Sequence, residues 1–278
     1  GPIFPNGGVA QAGPITCERP GEGYLQPTQF DNHNAELLGY ILTGAPKLQG
    51  FVMMPFSDKT DPSPEGRFSK RMDDSSQSVK PGNYSVRAEN WAMGTGSTAS
   101  KDCSYVRFEY QRGGRVCVLL DAQVADSAWW MKKNRPATKV VAANSSILDG
   151  VFEGMVEAEV NGKREKLFAK IQFMPKPVKV REMAANGRAG KRYILEFNLE
   201  PVVGNIVAKA ATSDVSMDEA KARFASDGEV IDYSKVSGAC MKAWDAYLGL
   251  EKTELKGKER KEFYTKRFHD RVKELLVK

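Results

Sequence analysis

Few side chains in this 278-residue sequence are of types that do covalent chemistry, and their spacing argues against most of it. The two histidines are His33 and His269. A serine or cysteine triad would have to recruit one of them, and no elbow motif stands beside a nucleophile. His33, in the polar run Asp31-Asn32-His33-Asn34, reads equally as a functional side chain or as surface decoration. His269, one turn beyond Thr265 in a helical stretch, reads as a boundary residue rather than a general base. Gly94-Thr95-Gly96-Ser97-Thr98-Ala99 matches the dinucleotide fingerprint in form only. The residues after it alternate like a strand and offer no helix N-terminus to a pyrophosphate, so the run is read as a turn. No spacing suits zinc or a calcium hand, and Asp58, Asp61, Asp73 and Asp74 read as solvated loop acids. Asn83-Tyr84-Ser85 and Asn144-Ser145-Ser146 fit the glycosylation acceptor pattern, which matters only in a eukaryotic secretory setting.

The elements that must position these residues divide by period. Before residue 212 the period is two. Val106, Phe108 and Tyr110 alternate with charged residues, Val116 to Leu120 is a continuous apolar strand, and Met155–Val160 and Leu167–Phe173 flank an Asn161-Gly162 hairpin turn. Tyr193–Phe197 and Asn205–Ala210 close the series. Many short strands without alternating helices predict a large antiparallel β-sandwich, mainly β, over residues 1–212. A hairpin turning at Arg112-Gly113-Gly114 would set Cys117 opposite Tyr110 rather than Cys103, so no disulfide is expected there. The four cysteines, Cys17, Cys103, Cys117 and Cys240, are too dispersed for a disulfide scaffold.

From Ser216 the period becomes 3.6, opening on the capping box Ser216-Met217-Asp218-Glu219. Tyr233 to Leu250 spaces Val236, Cys240, Ala243, Trp244 and Tyr247 along one face. Lys258 to Val277 does the same with Phe263, Phe268, Val272 and Leu275/Leu276, a stripe that needs cover from the sandwich or from another chain. Residues 213–257 are expected to form linker helices, and 258–278 the first helix of a helical domain that is otherwise missing. The net charge of +6 is spread among acidic residues at helical spacing, with no arginine cluster or aromatic ladder, so a nucleic-acid partner is not expected. There is no apolar run long enough to span a membrane, and no signal peptide.

One ordered set of motifs is more specific. Pro20-Gly21-Glu22-Gly23-Tyr24, Leu38-Gly39-Tyr40-Ile41-Leu42-Thr43-Gly44, Phe51-Val52-Met53-Met54-Pro55, Phe68-Ser69-Lys70 and Pro81-Gly82-Asn83-Tyr84-Ser85-Val86 succeed one another at short intervals. Tyr105-Val106-Arg107-Phe108 and Val118-Leu119-Leu120-Asp121 come next. This order resembles the N-terminal β-sandwich domain of glycoside hydrolase family 92, the exo-acting, calcium-dependent, inverting α-mannosidases. Ala243-Trp244-Asp245-Ala246-Tyr247-Leu248-Gly249-Leu250-Glu251 and Phe263-Tyr264-Thr265-Lys266-Arg267-Phe268-His269 look like that family's linker helices and the first helix of its (α/α)6 barrel.

The resemblance implies a sandwich that shapes one wall of a sugar pocket and packs on a helical catalytic domain, secreted or periplasmic, with mannose-containing glycans as possible ligands. Tyr24, His33, Thr43 and Trp91 are the carbohydrate-facing candidates. The catalytic carboxylates and the calcium ligands would belong to the barrel, so no catalytic or metal residue is assigned here. Two departures stand out. The family's histidine-bearing segment reads Gly39-Tyr40-Ile41-Leu42-Thr43-Gly44, and its Phe-Ser-His segment reads Phe68-Ser69-Lys70. Two other readings stay open: a stand-alone carbohydrate-binding module with Trp91, Trp129 or Trp130 as a stacking platform, and a degenerate assembly subunit without activity.

Overall fold

The computed structural model describes residues 5, 11–16, 36–43, 49–57, 70–88, 93–122, 138–160, 162–183, 189–249 and 254–277. Within them fourteen strands precede three helices. The strands are β1 (Gln11–Thr16), β2 (Glu36–Thr43), β3 (Gln49–Ser57), β4 (Lys70–Lys80), β5 (Asn83–Ala88), β6 (Met93–Ala99), β7 (Ser104–Tyr110), β8 (Gly114–Asp121), β9 (Thr138–Leu148), β10 (Val151–Val160), β11 (Lys163–Met174), β12 (Lys179–Met183), β13 (Arg192–Leu199) and β14 (Gly204–Ser213). The helices are α1 (Met217–Ser226), α2 (Tyr233–Leu248) and α3 (Gly257–Val277).

All the pairings are antiparallel and form two facing sheets. Sheet A runs β12-β13-β8-β3-β2 with β1 beside β2, and sheet B runs β5-β6-β7-β14-β11-β10-β9. Strand β4 belongs to both. Lys70 and Arg71 pair with Leu37 and Glu36 of β2, and the strand then turns to pair Met72 with Ala88 of β5. The register slips between Asp73 and Ser78, as expected where a strand changes sheets through a bulge.

Alternation puts Val116, Val118 and Leu120 of β8 and Tyr193, Leu195 and Phe197 of β13 into the space between the sheets, facing Val106, Phe108, Phe152, Ile171 and Ile206 of sheet B. Phe51 enters this core unusually. Ile41 pairs with Val52 and Leu42 with Gly50, so Phe51 is the extra residue of a bulge and adopts φ 59°. A non-glycine residue there costs about 1–2 kcal/mol. The bulge turns the ring inward against Phe152, centroid to centroid 5.5 Å. Gly154 makes room for both rings, since a Cβ on it would collide with Phe152 Cζ and lie 3.0 Å from Phe51 Cε1.

The hairpin expected at Arg112-Gly113-Gly114 does not form. Strand β7 pairs with β6 and β14, and β8 with β3 and β13, so these residues cross from one sheet to the other. The glycines serve close approach. Gly113 N donates to Val202 O at 2.9 Å, and a Cβ on Gly113 would collide with Glu200 O. Tyr110 and Cys117 still meet, but across the sandwich, where the Tyr110 hydroxyl donates to Cys117 O at 3.1 Å. Gly94 to Ala99 is strand β6 rather than a turn. The hairpin expected between β10 and β11 is present, with Val160 opposite Lys163 and Gly162 at φ 77°; Asn161 lies outside the described residues.

Two substitutions test how closely the sheets are packed. Gly154→Val should cost about 1–3 kcal/mol by overpacking, and Phe51→Ala about 3–5 kcal/mol by leaving a cavity. Urea unfolding midpoints measure both, and an unchanged midpoint for Gly154→Val would contradict the close fit.

Candidate functional site

The outer face of sheet B carries the helices. Along β14 the outward positions are Val207, Lys209 and Ala211, and Lys209 is fully buried. Its ammonium donates to Phe224 O at 2.8 Å and Gly228 O at 2.6 Å, and lies 4.2 Å from the centre of the Phe224 ring. These are carbonyls at the C-terminal end of α1, where backbone acceptors have no partner within the helix and a cation meets the negative end of the dipole. Tyr105, directly opposite Lys209 on β7, donates its hydroxyl to Asp227 Oδ2 at 2.5 Å. One cross-strand pair thus holds the helix end from both sides. Burial raises the Tyr105 hydroxyl pKa, and the bond to Asp227 raises it further. Burial likewise pushes the neighbouring Cys103 thiol up, with the Asp227 charge adding to the effect.

At its start α1 uses half of the expected capping box. Ser216 Oγ accepts from Glu219 N at 3.1 Å. The Glu219 carboxylate does not return to Ser216 N, because it accepts from Ser213 Oγ at 2.7 Å and from Arg223 at 2.5 Å. Lys221 reaches Glu153 of β10 at 2.8 Å.

Helix α2 rests on β5 and β6 where two glycines permit it. A Cβ on Gly96 would lie 2.6 Å from the Tyr233 hydroxyl, and one on Gly82 would lie 2.7 Å from Cys240 Sγ. Gly82, at φ 80°, follows Pro81 in the tight turn between β4 and β5, as a type II turn requires. Asn83 Nδ2 donates to Ser237 Oγ at 2.6 Å and to the Tyr233 hydroxyl at 3.2 Å. That glycosylation-pattern asparagine is therefore occupied with α2. Burial pushes the Tyr233 hydroxyl up to about 12, partly offset by the Arg107 charge and the Asn83 bond, and pushes the Cys240 thiol up to about 11.

Cover for α3 comes from α2. Tyr264, Phe268, Val272 and Leu275 pack around Cys240, Trp244 and Leu248, with the Trp244 and Phe268 rings 4.6 Å apart. Tyr264 rather than Phe263 opens the buried stripe, and Phe263 is 45% exposed. Arg267 donates to Leu248 O at 3.2 Å and the Tyr264 hydroxyl to Gly249 O at 3.2 Å, which satisfies the end of α2 as Lys209 satisfies the end of α1. Arg271 Nε donates to Pro5 O at 2.8 Å, tying the tail to the start of the chain.

Sheet A holds the two buried carboxylates found among the described residues, Asp121 and Glu196. Asp121 pairs with Arg192 at 2.9 Å, and Glu196 with Arg115 at 2.6 Å and Arg181 at 2.8 Å. Asp121 is opposite Arg192, so the two acids are four residues apart along the ladder, about 13 Å. An inverting glycosidase needs its acid and base about 6.5–9.5 Å apart. No three His, Cys, Asp or Glu side chains converge among the described residues. No helix among them is long and apolar enough to cross a membrane.

Tyr24, His33 and Trp91 lie outside the described residues. The backbone of Thr43 ends β2, opposite Gln11 of β1 and Gln49 of β3. Lys209 is not among the candidates that the sequence points to. Its signal is a lone cation on an outward stripe otherwise made of Val207 and Ala211, which marks that stripe as covered. The fold and these positions define an antiparallel sandwich with a helical layer fixed to one sheet, whose two buried carboxylates are each paired with arginine.

Residues 1–231 match the family model described as the glycosyl hydrolase family 92 N-terminal domain. The chain belongs to that family. Solved structures it resembles include the family GH92 α-mannosidase BT3965 from Bacteroides thetaiotaomicron in complex with mannoimidazole, at 18% identity and TM-score 0.76 over 97% of this chain and 37% of that one. The family GH92 inverting mannosidase BT2199 from Bacteroides thetaiotaomicron VPI-5482 gives 17% identity and TM-score 0.71, over 97% of this chain and 36% of that one. The GH92 glycosyl hydrolase ccman5 gives 16% identity and TM-score 0.70, over 96% and 38%. The chain thus spans well under half the length of these proteins. No curated protein sequence matches it.

Lys209→Met should destabilise the chain by about 1–3 kcal/mol, since it strands the buried Phe224 carbonyl, and should expose residues 214–232 to protease before the strands. A melting temperature within a degree of the parent would contradict the role given to this ammonium. Alkali gives a second test. Cys240 and Tyr233 ionise later in the folded chain than in the unfolded chain, so the unfolded state binds fewer protons above about pH 9 and stability falls as pH rises from about 9 to 12. Tyr233→Phe should flatten the upper part of that fall, measured by urea unfolding at successive pH values.

Proposed function

We propose that this chain is the N-terminal sandwich portion of an α-mannosidase-like glycoside hydrolase, forming one wall of the sugar pocket and packing on a helical catalytic domain. The observation that carries this reading is the family match over residues 1–231. The half-exposed Phe263, on a helix whose other side is buried against α2, supports a helical neighbour. A secreted or periplasmic setting and calcium bound by the catalytic domain rest on the family resemblance.

The topology supports a location for the wall. Arg71 pairs with Glu36 and the next residue, Met72, pairs with Ala88, so β4 joins the start of β2 to the end of β5. His33 is three residues before Glu36 and Trp91 three after Ala88. Lys70, which replaces the histidine of the family's Phe-Ser-His segment, pairs at the same corner with Leu37. Thr43 is seven residues beyond Glu36 along β2, about 23 Å away. On this reading the wall is built at the β2–β4–β5 corner, and Thr43 stands at the far end of the same strand.

Acid–base chemistry would come from the catalytic domain. The purified chain should not hydrolyse aryl α-mannosides or mannobiose, with or without calcium. Turnover that scales with chain concentration and survives repurification would overturn this. Calorimetric titration with mannose oligosaccharides should give no saturable binding to the chain alone, because the opposing wall is elsewhere. Tight binding abolished by Trp91→Ala would make the chain a carbohydrate-binding module in its own right.

A further inference from the structure

On the inner face of sheet B, Ser97 of β6 and Ser104 of β7 are buried to 0% and 1% exposure, and neither hydroxyl has a hydrogen-bond partner among the described residues. Both point between the sheets. Ser97 is opposite Val106, Ala99 is opposite Ser104, and Val106 belongs to the inter-sheet core. The two serines are therefore diagonal neighbours, with Cβ atoms about 7 Å apart. Two rotatable hydroxyls can close that gap to the span of one bridging water.

The surrounding surface is paved with small residues. Ala99, Ala208 and Ala210 are buried beside the serines, and Ala210 is opposite Ser104. Strand β1 comes within 8 Å of β6 and β7, Cα to Cα, where stacked sheets are ordinarily about 10 Å apart. Among the described strands β1 is laddered only to β2.

We infer that Ser97 and Ser104 hold ordered internal water on the inner face of sheet B, between the two sheets. Buried hydroxyls without partners are costly, and a buried water takes two to four polar partners, of which the serines supply two. The water lies apart from the β2–β4–β5 corner proposed as the sugar wall.

A crystal structure of the chain at better than 2 Å tests this, together with the melting temperatures of Ser97→Ala and Ser104→Ala. Water within 3.2 Å of both Oγ atoms is expected, with each alanine variant melting about 2–4 °C lower. A dry seam, or both hydroxyls bonded directly to β1, would overturn the inference. So would alanine variants that melt at the same or a higher temperature, since removing a hydroxyl that bonds nothing relieves its burial.

Discussion

Helix α1 ends over the middle of a β-sheet, and a helix end in that position must find partners for its last carbonyls. Lys209 provides them, reaching up from β14 to Phe224 O and Gly228 O while Tyr105 opposite it holds Asp227. A buried ammonium is tolerable only when it is fully hydrogen-bonded, and a helix C-terminus supplies oxygen acceptors carrying partial negative charge. The two needs meet at one point. With α1 fixed there, the chain leaves at Gly228 on a path that starts α2 over Gly96 and Gly82, and α2 in turn supplies the surface on which α3 packs.

The second helix shows the same dependence in steric form. Its contact with the sheet relies on what β4, β5 and β6 lack, namely the side chains of Gly82 and Gly96. Asn83 and Thr98 complete the surface: Asn83 bonds Ser237 and Tyr233, and Thr98 Oγ1 donates to Gly82 O at 2.7 Å, fixing the turn under the helix. Gly96 in the run Gly94 to Ala99 is a glycine because a helix lies on that face. That is a packing reason for a glycine in a run that resembles a nucleotide motif.

Much of the architecture was legible in the sequence because period and turn chemistry are local. The change from period two to 3.6 near Ser213, the β10–β11 hairpin and the N-cap at Ser216 all stand as expected. Strand pairing is not local. Gly113-Gly114 carries the chemistry of a hairpin, but its glycines admit Glu200 and Val202, and β7 and β8 end in different sheets. Phe263 and Tyr264 are both aromatic, and which of them faces α2 depends on a helix phase that one residue shifts by about 100°. Lys209 was illegible as a clamp because its acceptors are backbone carbonyls, which no sequence displays. Of the candidates Tyr24, His33, Thr43 and Trp91, the described residues include only the backbone of Thr43.

The central claim is that the helical layer and the sandwich form one cooperative unit. Hydrogen exchange followed peptide by peptide across a urea series tests it most directly. The account predicts that amides in Met217–Ser226 and Tyr233–Leu248 lose protection at the same urea concentration as those in Ser104–Tyr110 and Gly204–Ser213. Helices that open at much lower urea while the strands stay protected would show a tail merely resting on the sheet, and would contradict it.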